Sequence, residues 1–104
     1  MKEVLSEIER WRAEGRKVAV ATVVKVEGSA PRPVGAAMAV SNAGDLTGSV
    51  SGGCVETAVF EEAQETLRTG TPKLLRYGIT DEMAWDVGLA CGGTIEVFVE
   101  PVAE

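Results

Sequence analysis

Two cysteines occur in the 104 residues, and each abuts a glycine pair, in Ser51-Gly52-Gly53-Cys54-Val55-Glu56 and in Ala90-Cys91-Gly92-Gly93. In the first motif the glycines separate a strand pattern from a helical pattern. Such a junction presents backbone N–H groups at a helix N-terminus, which attract anions such as phosphate. Ser51 could cap that helix or donate to the same anion. Cys54 is expected in the first helical turn, where the dipole favours a thiolate. The blander alternative is a tight turn with Cys54 as a small buried residue. The motif is neither a dinucleotide fingerprint nor a Walker loop, because it lacks the glycine spacing and the Lys-Ser/Thr pair.

In the second motif the glycines precede a strand, so they could serve only a close chain approach, with Cys91 a core residue. Two thiols do not complete a structural zinc site, and Cys54 and Cys91 lack CxxC spacing. They could still converge on one soft ligand, which suits sulfur chemistry or a thiophilic metal. A third loop, Gly28-Ser29-Ala30-Pro31-Arg32-Pro33-Val34-Gly35, carries one charge between two prolines. The prolines pre-order it, so the Arg32 guanidinium would meet an anion with little entropy left to lose; otherwise Arg32 is a solvated residue in a stiff turn. Asp81, Glu82 and Asp86 cluster beside Trp85. Carboxylates and an aromatic plate can bind the edge and face of a planar heterocycle, although a solvated acidic turn has the same composition.

These loops need a rigid support. Val4, Leu5, Ile8 and Trp11 recur at helical spacing, predicting a helix over about 2–14 that stops at Gly15. Residues 17–26 are rich in β-branched side chains and read as a central strand buried on both faces. Residues 36–40 and 46–50 flank turn chemistry at Ser41-Asn42-Ala43-Gly44-Asp45, predicting a hairpin. A second amphipathic helix is predicted over about 54–68, followed by strands at 73–77 and 94–99. The fold class is α+β, a single domain spanning 1–104 with a mixed sheet of about five strands and two packed helices.

Composition removes several function classes. The chain has 10 Lys and Arg against 16 Asp and Glu, a net charge of −6, which argues against binding a nucleic-acid backbone. It has no histidine, so Ser-His-Asp and Cys-His catalysis and imidazole metal sites are excluded within it. No apolar run approaches the ~20 residues that span a bilayer, so no membrane role is expected. The charged N-terminus lacks a signal-peptide core, which predicts a cytoplasmic protein with free thiols rather than a disulfide.

Taken together, Gly28-Ser29-Ala30-Pro31-Arg32, Gly48 to Glu56, Leu75-Arg76-Tyr77-Gly78 and Gly88 to Gly93 resemble the XdhC/CoxI family over nearly the whole chain, from Val18 to Pro101. The resemblance implies an accessory protein for molybdenum hydroxylases such as xanthine dehydrogenase and aerobic carbon monoxide dehydrogenase. Such a protein binds molybdenum cofactor (molybdopterin) as cargo, assists its sulfuration by a cysteine desulfurase, and delivers it to the apo-enzyme. Longer members resemble this domain followed by a Rossmann-like domain, so the Rossmann half is expected either as a separately encoded partner or as dispensable here.

Molybdopterin joins a phosphate, a dithiolene-bound metal and a pterin, and the three loops offer a contact for each. The candidate cofactor-binding residues are Arg32, Ser51, Gly52, Gly53, Cys54, Glu56, Cys91, Gly92 and Gly93. Cys54 is the candidate thiol nearest the molybdenum or the terminal sulfur. No catalytic residue is assigned, because a general base in a tuned environment is not evident. Two other readings compete with a cofactor carrier: a thiol-dependent enzyme or persulfide carrier using Cys54, and a docking module without chemistry of its own. An edge strand of the hairpin could pair with a second copy to give a homodimer.

Overall fold

A computed structural model describes residues 4–28, 32–52, 55–78 and 93–102. In chain order these form α1 (Leu5–Ala13), β1 (Val18–Glu27), β2 (Ala37–Ser41), β3 (Leu46–Gly48), α2 (Glu56–Thr69), β4 (Lys73–Gly78) and β5 (Thr94–Pro101). The strands make one sheet in the order β3-β2-β1-β5-β4. The α+β class with five strands and two helices is as the sequence predicts. The sheet expected to be mixed is antiparallel at all four pairings. Among the described residues one helical crossover, α2, brings the chain across the sheet from β3 to the far edge, where β4 enters antiparallel to β5.

The two helices take opposite faces. Val4, Ile8 and Trp11 pack onto Val18, Val20, Ala37 and Ala39, a small core beneath α1. Val55, Val59 and Ala63 pack onto Ala19, Ala21, Val23, Met38, Val40, Ile95, Val97 and Val99, the larger core beneath α2. Period-two alternation along β1 therefore feeds both cores, which is why its first four residues read as a continuous apolar run. The expectation of two-sided burial fails beyond Val23. A bulge between Val23 and Lys25 shifts the register against β5, and Val24, Lys25 and Glu27 are exposed. Leu5, counted in the apolar stripe of α1, is 44% exposed.

Both helices end on a glycine with positive φ, Gly15 at +83° and Gly70 at +77°. The Gly70 N–H donates to the Thr66 carbonyl at 2.7 Å, satisfying an end that would otherwise leave carbonyls unbonded. α2 starts later than predicted, at Glu56 with Val55 as its N-cap. Cys54, expected in the first turn, lies outside the described residues.

Candidate functional site

The register turns the strand ends that flank the three glycine-rich segments toward the same end of the sheet. β1 ends at Glu27, opposite Thr94 at the start of β5, and Thr94 also pairs with Gly78 at the end of β4. β2 starts at Ala37 and β3 ends at Gly48, which pairs with Met38. Residues 28–36, 49–55 and 79–93 therefore all leave from and return to this end. An antiparallel sheet does this by alternation of direction, with short turns confined to the other end. Sequence spacing alone could not show that three segments so far apart in the chain share an edge.

Within this end the best-defined cluster is built on Glu56. Its Oε2 accepts hydrogen bonds from the Ser49 hydroxyl at 2.7 Å, the Val50 N–H at 3.0 Å and the Ser51 N–H at 2.8 Å. Its Oε1 accepts from the Ser51 hydroxyl at 2.6 Å. The two hydroxyls also accept: Ser51 Oγ takes the Val55 N–H at 2.9 Å, and Ser49 Oγ takes the Gly52 N–H at 2.8 Å. The strand-to-helix loop is thereby tied at both ends to one carboxylate at the helix start, where the dipole also favours negative charge.

Burial alone would raise the Glu56 pKa. The hydrogen bonds from the Ser51 and Ser49 hydroxyls and from the Ser51 and Val50 N–H groups outweigh it and bring the carboxyl down to about 2. Four donors on one carboxylate resemble what an anion-binding loop offers to a phosphate. The Val50 and Ser51 amides, just before the glycine pair, are bonded to Glu56.

Other candidates are placed as follows. Ser51 is fully buried, Gly52 exposed, Arg32 half-buried and Gly93 buried. Gly53, Cys54, Cys91 and Gly92, with the acidic cluster and Trp85, lie outside the described residues. Ser49 belongs to the Glu56 cluster but is not singled out by sequence. A capping-box search looks for a carboxylate three residues after the serine, whereas Glu56 follows Ser51 by five and Ser49 by seven.

Among the described residues no group of three or more cysteine, aspartate or glutamate side chains is arranged to hold a metal ion. No helix of the described residues is long and apolar enough to cross a membrane. A cleft of about 640 Å³ opens at the opposite end of the sheet, between Arg12, Arg16, Lys17, Val18, Leu67, Pro101 and Val102. It contains none of the candidate residues.

Comparison with known proteins points to one group. The model of the XdhC and CoxI family matches residues 11–78. The chain is 43% identical over 82 residues to the molybdenum cofactor insertion chaperone PaoD of Escherichia coli (strain K12), covering 78% of this chain and 25% of that protein. It is 38% identical over 87 residues to a probable xanthine dehydrogenase subunit of Bacillus subtilis (strain 168), covering 82% of this chain and 26% of that one. A crystal structure of a xanthine dehydrogenase from Bacillus halodurans superposes with a TM-score of 0.80 at 34% identity, over 95% of this chain and 30% of that chain. The chain thus spans about a quarter of the length of the curated relatives it matches.

Proposed function

We propose, from the premise that this chain belongs to the XdhC and CoxI family, that it binds molybdenum cofactor and takes part in maturing a molybdenum hydroxylase. A relative of which it covers a quarter is a molybdenum cofactor insertion chaperone, which supports a carrier without turnover of its own. The observation that supports the reading is that the strands flanking three glycine-rich segments all point those segments toward the same end of the sheet. A cargo with phosphate, metal dithiolene and pterin parts needs several separate contacts at one place, and loops from five strand ends can supply them.

In this reading Arg32 makes a charge-assisted contact to the cofactor's anionic groups. Gly52, Gly53, Gly92 and Gly93 allow the backbone to approach it closely. Cys54 is the thiol nearest the molybdenum or the sulfur being exchanged, with Cys91 beside the same cargo. Sulfuration would use a cysteine desulfurase as the sulfur donor, and delivery would be to an apo-enzyme of the xanthine dehydrogenase or carbon monoxide dehydrogenase type. The domain would work in the cytoplasm, as a homodimer or with a separate Rossmann-domain protein.

The test is an anaerobic titration with freshly released molybdenum cofactor, followed by tryptophan fluorescence. Saturable quenching that is lost in Arg32→Gln and Cys54→Ala supports the assignment. Unchanged affinity in both variants overturns the residue assignment, and no binding to the unmodified chain overturns the carrier reading in favour of a docking module.

A further inference from the structure

We propose that Glu56 is a positioning residue whose carboxylate is the anion around which the Ser49–Gly52 loop is built, so that the loop is shaped before any ligand arrives and its Val50 and Ser51 amides are closed to an external phosphate. The inference deepens the cofactor-binding reading and rests on it only for the claim that this loop meets cargo.

The geometry carries the argument. Glu56 Oε2 holds three donors within 3.0 Å, and Oε1 holds the buried Ser51 hydroxyl. Each serine then passes its acceptor capacity to a further amide, Val55 or Gly52. One carboxylate therefore orders two serines and four backbone N–H groups. A phosphate seated on the same amides would place its charges against a carboxylate already within hydrogen-bond distance of them, and like charges at that separation repel strongly. Glu56 is part of the same chain and need not be captured from solution, so it competes with an external anion at high effective concentration. A loop ordered in advance loses less entropy when a ligand binds. Glu56 therefore serves the ligand by holding the loop, and the ligand's own anionic group is met by other residues.

The experiment reads amide resonances of the full chain, without cofactor. In the unmodified protein the Val50 and Ser51 amides should exchange slowly and should not shift on addition of inorganic phosphate. In Glu56→Ala their protection should fall about tenfold or more, and added formate, a carboxylate small enough to enter the vacated cradle, should restore it. Saturable phosphate shifts at Val50 and Ser51 in the unmodified protein would overturn the proposal, as would full protection in Glu56→Ala without formate. If Glu56→Ala does not fold, Ser49→Ala serves. It removes one donor, and the proposal requires the Glu56 carboxyl to titrate at higher pH with the α1 resonances unmoved; an unchanged midpoint overturns it. Failure of the unmodified chain to bind cofactor would count against the carrier reading alone, because the amide measurements do not involve cofactor.

Discussion

Gly48 is the surface on which Val4 rests: a β-carbon at Gly48 would stand 2.6 Å from Val4 Cγ1 and collide with the Ala37 carbonyl oxygen. The contact joins the end of β3 to the start of α1, and the backbone there has φ of +80°. Gly48→Ala therefore faces both overpacking and a left-handed backbone, and should destabilise the domain by about 2–4 kcal/mol. Gly44 has a similar φ of +91° but open space around its α-carbon. Gly44→Ala should cost only about 1–2 kcal/mol. Urea unfolding of the two variants compares them directly, and equal losses would mean that the Val4 contact is unimportant.

The Glu56 carboxyl makes stability depend on acid. Its folded-state pKa is depressed to about 2 from an ordinary 4.5. The unfolded chain therefore binds the proton first as pH falls, and the contribution is complete above about 4.5 and lost between there and 2. With solvent screening at a half-exposed site, about 1–2 kcal/mol is expected. Unfolding free energies measured from about pH 6 down to about pH 2 should fall more steeply for the natural chain than for Glu56→Gln. Parallel curves would show that the carboxylate is not held as described.

Met38 and Leu74 separate core from surface. Met38 is fully buried on β2 beneath α2, whereas Leu74 on β4 is 59% exposed. Met38→Ala should cost about 2–5 kcal/mol through lost contacts and a residual cavity. Leu74→Ala should change stability by about 0.5 kcal/mol or less. Thermal denaturation of both variants checks the ordering.

Tyr77, the only tyrosine in the chain, has its phenol pushed up from 10.0 to about 12, by burial first and the Glu62 charge second. Absorbance titration should show its ionisation well above that of free tyrosine. Because burial is the larger cause, Glu62→Gln should lower the midpoint only in part. A raised folded-state pKa means that stability is complete below about pH 10 and declines as pH rises from there towards 12. A normal midpoint in the folded protein would contradict the placement of Tyr77.

Most of the scaffold was legible in the chain because its signals are local. The spacing of Ile8 and Trp11, and of Val55, Val59 and Ala63, reports helix faces directly. The alternation that puts Val18 and Val20 on one face and Ala19 and Ala21 on the other appears in sequence as an apolar run. The outer part of β1 misled because a bulge at Val24 is set by pairing with β5, a strand far along the chain. The Glu56 cluster was legible as residue types and not as a network. Ser49, Ser51 and Glu56 stand out in the chain one by one, but the bonds joining them depend on where the end of β3 and the start of α2 meet.

β1 serves both helices at once. Val18 and Val20 go to the core under α1 and Ala19, Ala21 and Val23 to the core under α2, and the strand pairs with β2 on one side and β5 on the other. The core beneath α1 takes its strand residues from β1 and β2 alone, and the core beneath α2 adds Ile95, Val97 and Val99 of β5, which pairs with β1 along its length. The domain should therefore melt as one unit, with a calorimetric enthalpy equal to the van't Hoff value and its slowest-exchanging protons along β1. In mechanical terms β1 is the keystone, and Val50 and Val55, at either side of the β3–α2 connection, are seated in the same core that it carries.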